Sequence, residues 1–102
     1  MQFIVTGRAV DGLPIPAQEA LGAYQATFEI LARGDDPAIK GVWPHADERA
    51  TTFLIDADTA EALADTLSAL PGFMLSTWTA HPVTTPGHVA GGLQKIRHAL
   101  GQ

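Results

Sequence analysis

The chain has 102 residues, 46% hydrophobic and 17% charged, with eleven acidic and six basic side chains, a net charge of −5 and no cysteine. That length holds one domain and one core, and the apolar share excludes a disordered chain. The acidic balance excludes nucleic acid as the expected partner, the missing cysteines exclude disulfides, thiolate chemistry and thiolate zinc sites, and no window is long and apolar enough to span a membrane.

Gln2 to Val10 reads QFIVTGRAV, a β-branched and apolar run that stops at the turn signal Asp11-Gly12, so a strand is predicted over 2–10. The run begins directly at the N-terminus, without the basic start and apolar stretch of a signal peptide, and the expected compartment is the cytoplasm. After Pro14 and Pro16, the spacing of Leu21, Tyr24, Phe28 and Leu31 predicts a helix over 16–33 with one apolar stripe, and Gly34 is its expected C-cap. Ala38 to His45 and Arg49 to Asp56 carry two further strands, 38–45 and 49–56, joined through Ala46-Asp47-Glu48. Asp58 followed by Glu61 resembles a capping box for a helix over 59–70, with Ala60, Leu63, Ala64, Leu67 and Leu70 inward. Pro71-Gly72 ends it, and a fourth strand is expected over 73–80, broken at His81-Pro82.

The resulting order, β, α, β, β, α, β, predicts a ferredoxin-like α+β domain over 1–82, a four-stranded antiparallel sheet with both helices on one face. Strands one, two and four carry apolar residues on both alternating sets, which a sheet wetted on one face does not need. With the low charge fraction and a mean hydropathy of +0.10, this predicts a homodimer or larger assembly, its sheets meeting through Ile4, Thr6, Trp43 and Trp78. Residues 83–102 form an arm or a short helix in which Val89, Leu93, Ile96 and Leu100 mark one side and Lys95, Arg97 and His98 suit the negative end of the dipole.

Three short segments then stand out: Gly41-Val42-Trp43-Pro44-His45, Leu70-Pro71-Gly72-Phe73 and His81-Pro82. With the element order they make Met1 to Pro82 resemble the muconolactone isomerase-like members of the dimeric α+β barrel proteins. The resemblance implies a ligand cavity, between helices and sheet or between the sheets of two subunits, and a small-molecule activity needing no cofactor.

Candidate site residues follow from residue chemistry. Arg8, in phase with Ile4 and Thr6, is placed to hold a carboxylate in bidentate fashion, although an arginine at a strand end also fits solvent or an acidic partner. His45 and His81 have the pKa range for moving protons near neutrality, as an isomerisation requires, although histidines beside turns are commonly structural. Trp43 and Trp78 suit the walls of a site for a flat or cyclic ligand, or a core or interface. The candidate set is therefore catalytic His45 and His81, and substrate-binding Arg8, Thr6, Trp43 and Trp78, with no metal and no cofactor. Asp35-Asp36 and Asp47-Glu48 read as solvated turns. The functions that fit are proton-transfer isomerisation of a small cyclic or aromatic acid, a cofactor-less oxygenation in the same superfamily, or non-catalytic ligand binding or assembly.

Overall fold

The structure, a computed structural model, describes residues 1–101. Strand β1 (Gln2–Ala9) leads into helix α1 (Ala17–Arg33), followed by the hairpin β2 (Ile39–Pro44) and β3 (Ala50–Asp56), helix α2 (Ala60–Ser68), strand β4 (Ser76–Val83) and helix α3 (Pro86–Ala99). The sheet order is β2-β3-β1-β4 with every neighbouring pair antiparallel, the topology of a ferredoxin-like domain with an added C-terminal helix.

One face of the sheet makes the core. Val5 of β1 and Phe53 and Ile55 of β3 are the largest fully buried side chains. Leu63, Leu67 and Leu70 close over them from α2 and the turn after it, while Ile30 and Leu31 of α1 pack at the edge. The buried side of α2 thus follows its leucines, whereas Ala60 and Ala64 are exposed. Its N-cap is Thr59, whose Oγ1 accepts from the Ala62 amide at 3.0 Å, one residue beyond the expected Asp58. Helix α1 ends as its sequence requires: Gly34 adopts φ 66°, a left-handed conformation glycine takes without Cβ strain, and its amide bonds the Leu31 carbonyl. The expected stripe on α1 is only partly used, since Tyr24 and Leu31 turn inward while Leu21 and Phe28 remain exposed. Thr27, not counted among the apolar positions, is the buried residue of that helix.

Strand four is displaced from its expected position. Phe73–Leu75 form a single 3-10 turn, closed by the Leu75 amide on the Gly72 carbonyl at 3.1 Å, and the strand proper begins at Ser76. It then runs through His81-Pro82 to Val83. Pro82 is tolerated because β4 is an edge strand, where a missing amide need not break the ladder.

Candidate active site

Pairing register sorts the candidate residues between the two faces of the sheet. Alternation from Val5 puts Gly7 and Ala9 on the helix side, and Trp78, opposite Gly7, joins them. Ile4, Thr6 and Arg8 take the open side, with Thr52 and Thr79 opposite Thr6, Trp43 opposite Thr52, and His81 opposite Ile4. Trp78 therefore does not share a face with Trp43, Ile4 and Thr6, contrary to the sequence expectation. Its ring lies 5.8 Å from Phe53 and 5.9 Å from Phe73, and its Nε1 donates to the Phe73 carbonyl at 3.0 Å. The indole is thus fixed by packing and by its one polar atom. The strand-four offset explains the difference: the 3-10 turn resets the alternation that a strand starting at Phe73 would have kept.

Between α1 and the sheet lies a cavity of about 360 Å³. Tyr24, Phe28, Phe53 and Trp78 supply aromatic walls, and the β2–β3 turn, with His45, Glu48 and Arg49, supplies a polar end. The far wall is held by hydroxyls that satisfy backbone groups. Tyr24 Oη donates to the Leu75 carbonyl at 2.7 Å, and Thr27 Oγ1 donates to Ala23 at 2.8 Å while accepting from the Gly72 amide at 2.7 Å. These bonds tie α1 to the turn that starts β4 and keep the space open. The volume falls within the range of about 300–1,000 Å³ usual for small-molecule sites.

At the same end, four side chains form a chain of hydrogen bonds reaching onto the open face. Arg8 donates to Glu48 Oε2 at 2.7 Å, Glu48 Oε1 meets His45 Nδ1 at 2.9 Å, and His45 Nε2 meets Thr52 Oγ1 at 2.7 Å. A carboxylate only accepts, so Nδ1 carries a proton, and in the neutral ring Nε2 is then the basic nitrogen, accepting from the Thr52 hydroxyl. The hydrogen bond from Arg8, then that from His45, holds the Glu48 carboxyl below the usual carboxylate range. The His45 side chain keeps 24% of its surface exposed, so it is oriented yet reachable.

Thr6, Arg8, Trp43 and His45 are therefore gathered around Thr52, while Trp78 lies in the cavity behind the sheet and His81 stands near the other end on the opposite edge strand, exposed. Sequence reading missed Glu48 and Thr52. The signal for Glu48 was the His45-x-x-Glu48 spacing within a hairpin turn, which brings the two side chains to one place. His45, Asp47 and Glu48 also bring ligand atoms within 4.8 Å of one another. Both Glu48 oxygens are already engaged and a guanidinium lies 2.7 Å away, a positive neighbour unsuited to a metal cation.

Two glycines report on how rigidly the tryptophans are held. A Cβ at Gly7 would lie 2.6 Å from the Trp78 ring, and one at Gly41 would lie 2.4 Å from the Trp43 ring. Trp78 is held by its ring contacts with Phe53 and Phe73 and by its Nε1 hydrogen bond, whereas Trp43 is 55% exposed and has solvent to turn into. Gly7→Ala is expected to cost about 1–3 kcal/mol by overpacking. Gly41→Ala should cost distinctly less, as paired thermal melts of the two variants will show.

A scan against protein-family models finds no match, and no curated protein matches in sequence. Among solved structures, the chain is similar to muconolactone isomerase, with a TM-score of 0.70 and 23% identity over 84% of this chain and 92% of that one. It is also similar to a Deinococcus radiodurans protein described as an antibiotic biosynthesis monooxygenase, at a TM-score of 0.45 and 17% identity over 83% of this chain and 94% of the other. The likeness to the isomerase shows the fold: the chain has a muconolactone isomerase-like, ferredoxin-like architecture.

Proposed function

We propose that the chain is a cofactor-independent isomerase acting on a small cyclic or aromatic acid bound in the cavity between α1 and the sheet, with His45 moving the proton. The observation that carries this reading is the imidazole fixed between a carboxylate and a hydroxyl at the polar end of an aromatic-walled cavity. Glu48 orients the ring and stabilises its positive charge; the substrate displaces the Thr52 hydroxyl from Nε2 and turns the ring's basic edge to the cavity, and that nitrogen then takes a proton from carbon and returns it at the neighbouring position. No electrons leave the substrate, so the reaction needs only a base, its orienting group and shelter from water. The solved structure of muconolactone isomerase, whose fold this chain shares, supports the reaction class.

The residue proposed to hold the substrate's carboxylate is Arg49 rather than Arg8. Arg49 lines the cavity and its only close partner among the described residues is the exposed Asp11, at 2.6 Å. Arg8 lies outside the lining and is engaged by Glu48, so it acts as a positioning residue. Calorimetry with a panel of small lactone and aromatic acids tests this. Arg49→Ala should weaken binding by roughly ten- to a hundredfold, the loss of a charged hydrogen bond of about 1.5–3 kcal/mol. Unchanged affinity across the panel sinks the placement, and oxygen uptake during turnover would move the reading to oxygenation.

A further inference from the structure

Four side-chain hydroxyls line the cavity, and three of them are spent within the chain. Tyr24 Oη donates to the Leu75 carbonyl, Thr27 Oγ1 lies between the Ala23 carbonyl and the Gly72 amide, and Ser76 Oγ donates to the Gly72 carbonyl at 3.3 Å. The fourth belongs to Thr51, and among the described residues it makes no hydrogen bond. Thr51 is only 8% exposed, at an inward position of β3.

The pairing of β3 explains why this hydroxyl is free. Alternation puts Thr51 on the helix side with Phe53 and Ile55, and its neighbours across the ladder are Gly7 on β1 and Pro44 on β2. Glycine has no side chain and proline no polar side-chain atom, so neither offers the hydroxyl a side-chain partner. Among the described residues, no side-chain nitrogen or oxygen that is sealed from solvent lacks a hydrogen-bond partner, so the Thr51 hydroxyl opens on the space it lines, the cavity. A valine of the same shape would fill this position with no polar group to desolvate, and taking a hydroxyl out of water without a partner is unfavourable. The fold makes no use of this oxygen, and it stands where a bound molecule would meet it.

We propose that Thr51 is a specificity-determining residue of this site, its hydroxyl donating to a carbonyl oxygen on the ring of an acid whose carboxylate Arg49 holds. Arg49 and Thr51 both line the cavity and stand two residues apart, about 7 Å along the strand at ~3.3 Å per residue. The guanidinium at the polar end reads the charge, and the hydroxyl, one step nearer the Phe53 and Trp78 walls, reads a second oxygen between them. An acid with a bare hydrocarbon ring leaves that hydroxyl unpartnered on binding, which sets the preference. The proposal rests on the reading above in placing an acid in the cavity, and it holds whether or not His45 moves a proton.

The experiment uses the full chain. Calorimetry with cyclohexanecarboxylate and its 3-oxo and 4-oxo ketones compares wild type, Thr51→Val and Thr51→Ser. At least one ketone should bind wild type about three- to tenfold more tightly than the parent acid, the worth of one neutral hydrogen bond. Thr51→Val should erase that advantage while leaving the parent acid's affinity unchanged, and Thr51→Ser should keep it. Thermal melts of the ligand-free protein supply a second measurement: with no internal partner to orphan, Thr51→Val should melt at or above the wild-type temperature. A melting temperature lower by about 4 °C or more would mean that the hydroxyl serves the fold, and would overturn the proposal. So would a ketone advantage that survives in Thr51→Val, or binding of the parent acid with no gain from either ketone. Failure of all three acids to bind would strike the reading of the cavity as an acid site, and this proposal with it.

Discussion

Replacing His45 by alanine should lower turnover by about a hundredfold while leaving substrate affinity nearly unchanged, because the imidazole moves the proton and other groups bind the acid. The effect on kcat alone is informative. A histidine that only braced the hairpin would, when lost, loosen the cavity wall and raise KM as well. Replacing Arg8 by alanine separates the base from its support. Arg8 is the largest cause of the lowered Glu48 pKa, so without it the Glu48 carboxyl titrates closer to its ordinary value of 4.5. The sign follows from the anionic form. Above the carboxylate range Glu48 is charged and orients His45, and as pH falls through its folded-state pKa that support is lost. In wild type the loss comes at lower pH than in Arg8→Ala, so the Glu48 carboxyl, followed by carbon-13 NMR, should titrate at higher pH in the variant. Any stability the network contributes has the same direction, present above the carboxylate range and lost in acid, and it is small because the groups are exposed. An unmoved Glu48 titration would remove Arg8 as the support of that carboxylate.

Phe53→Ala should be the most damaging change to the fold. Phe53 is 2% exposed, packs in the cluster of Val5, Ile55 and the α2 leucines, and faces the Trp78 ring. Truncating a buried phenylalanine costs about 3–5 kcal/mol, since the removed atoms lose their burial and leave a void. In a domain of this size that corresponds to a melting temperature lower by some 12 °C or more. Phe53 also walls the cavity, so the truncated protein cannot collapse onto the space without losing the site. A loss below about 1 kcal/mol would mean that the core lies elsewhere.

The element order was legible in the sequence because each element carries its own periodicity and its own stop signal. Pro14 and Pro16 before α1, Gly34 after it and Pro71-Gly72 after α2 mark ends that the structure keeps within a few residues. The start of β4 was not legible. Phe73, Met74 and Leu75 are as apolar as a strand, and it is the Leu75 amide on the Gly72 carbonyl and the Ser76 amide on the Phe73 carbonyl that make them a 3-10 turn. That displacement moved Trp78 to the helix side, which alternation from Phe73 could not anticipate. Thr27 was hidden for a related reason. A buried threonine on α1 is satisfied by the Ala23 carbonyl of its own helix and by the Gly72 amide, 45 residues later, and the second partner is invisible to helical spacing. Within the candidate site, the grouping of Thr6, Arg8, Trp43 and His45 follows from strand phase and was readable. Glu48 took its place through a turn whose geometry sequence spacing alone does not specify, and Arg49 through its position at the cavity end.

The central claim is that this chain moves a proton between carbons of a small acid through His45. Incubation of the panel of small lactone and aromatic acids with the protein in D2O, followed by proton NMR of each compound, tests it directly. The account predicts that at least one acid gains deuterium at a carbon next to its carbonyl, at a rate that falls about a hundredfold in His45→Ala. No deuterium uptake by any acid that binds the cavity, or uptake undiminished in His45→Ala, would contradict it.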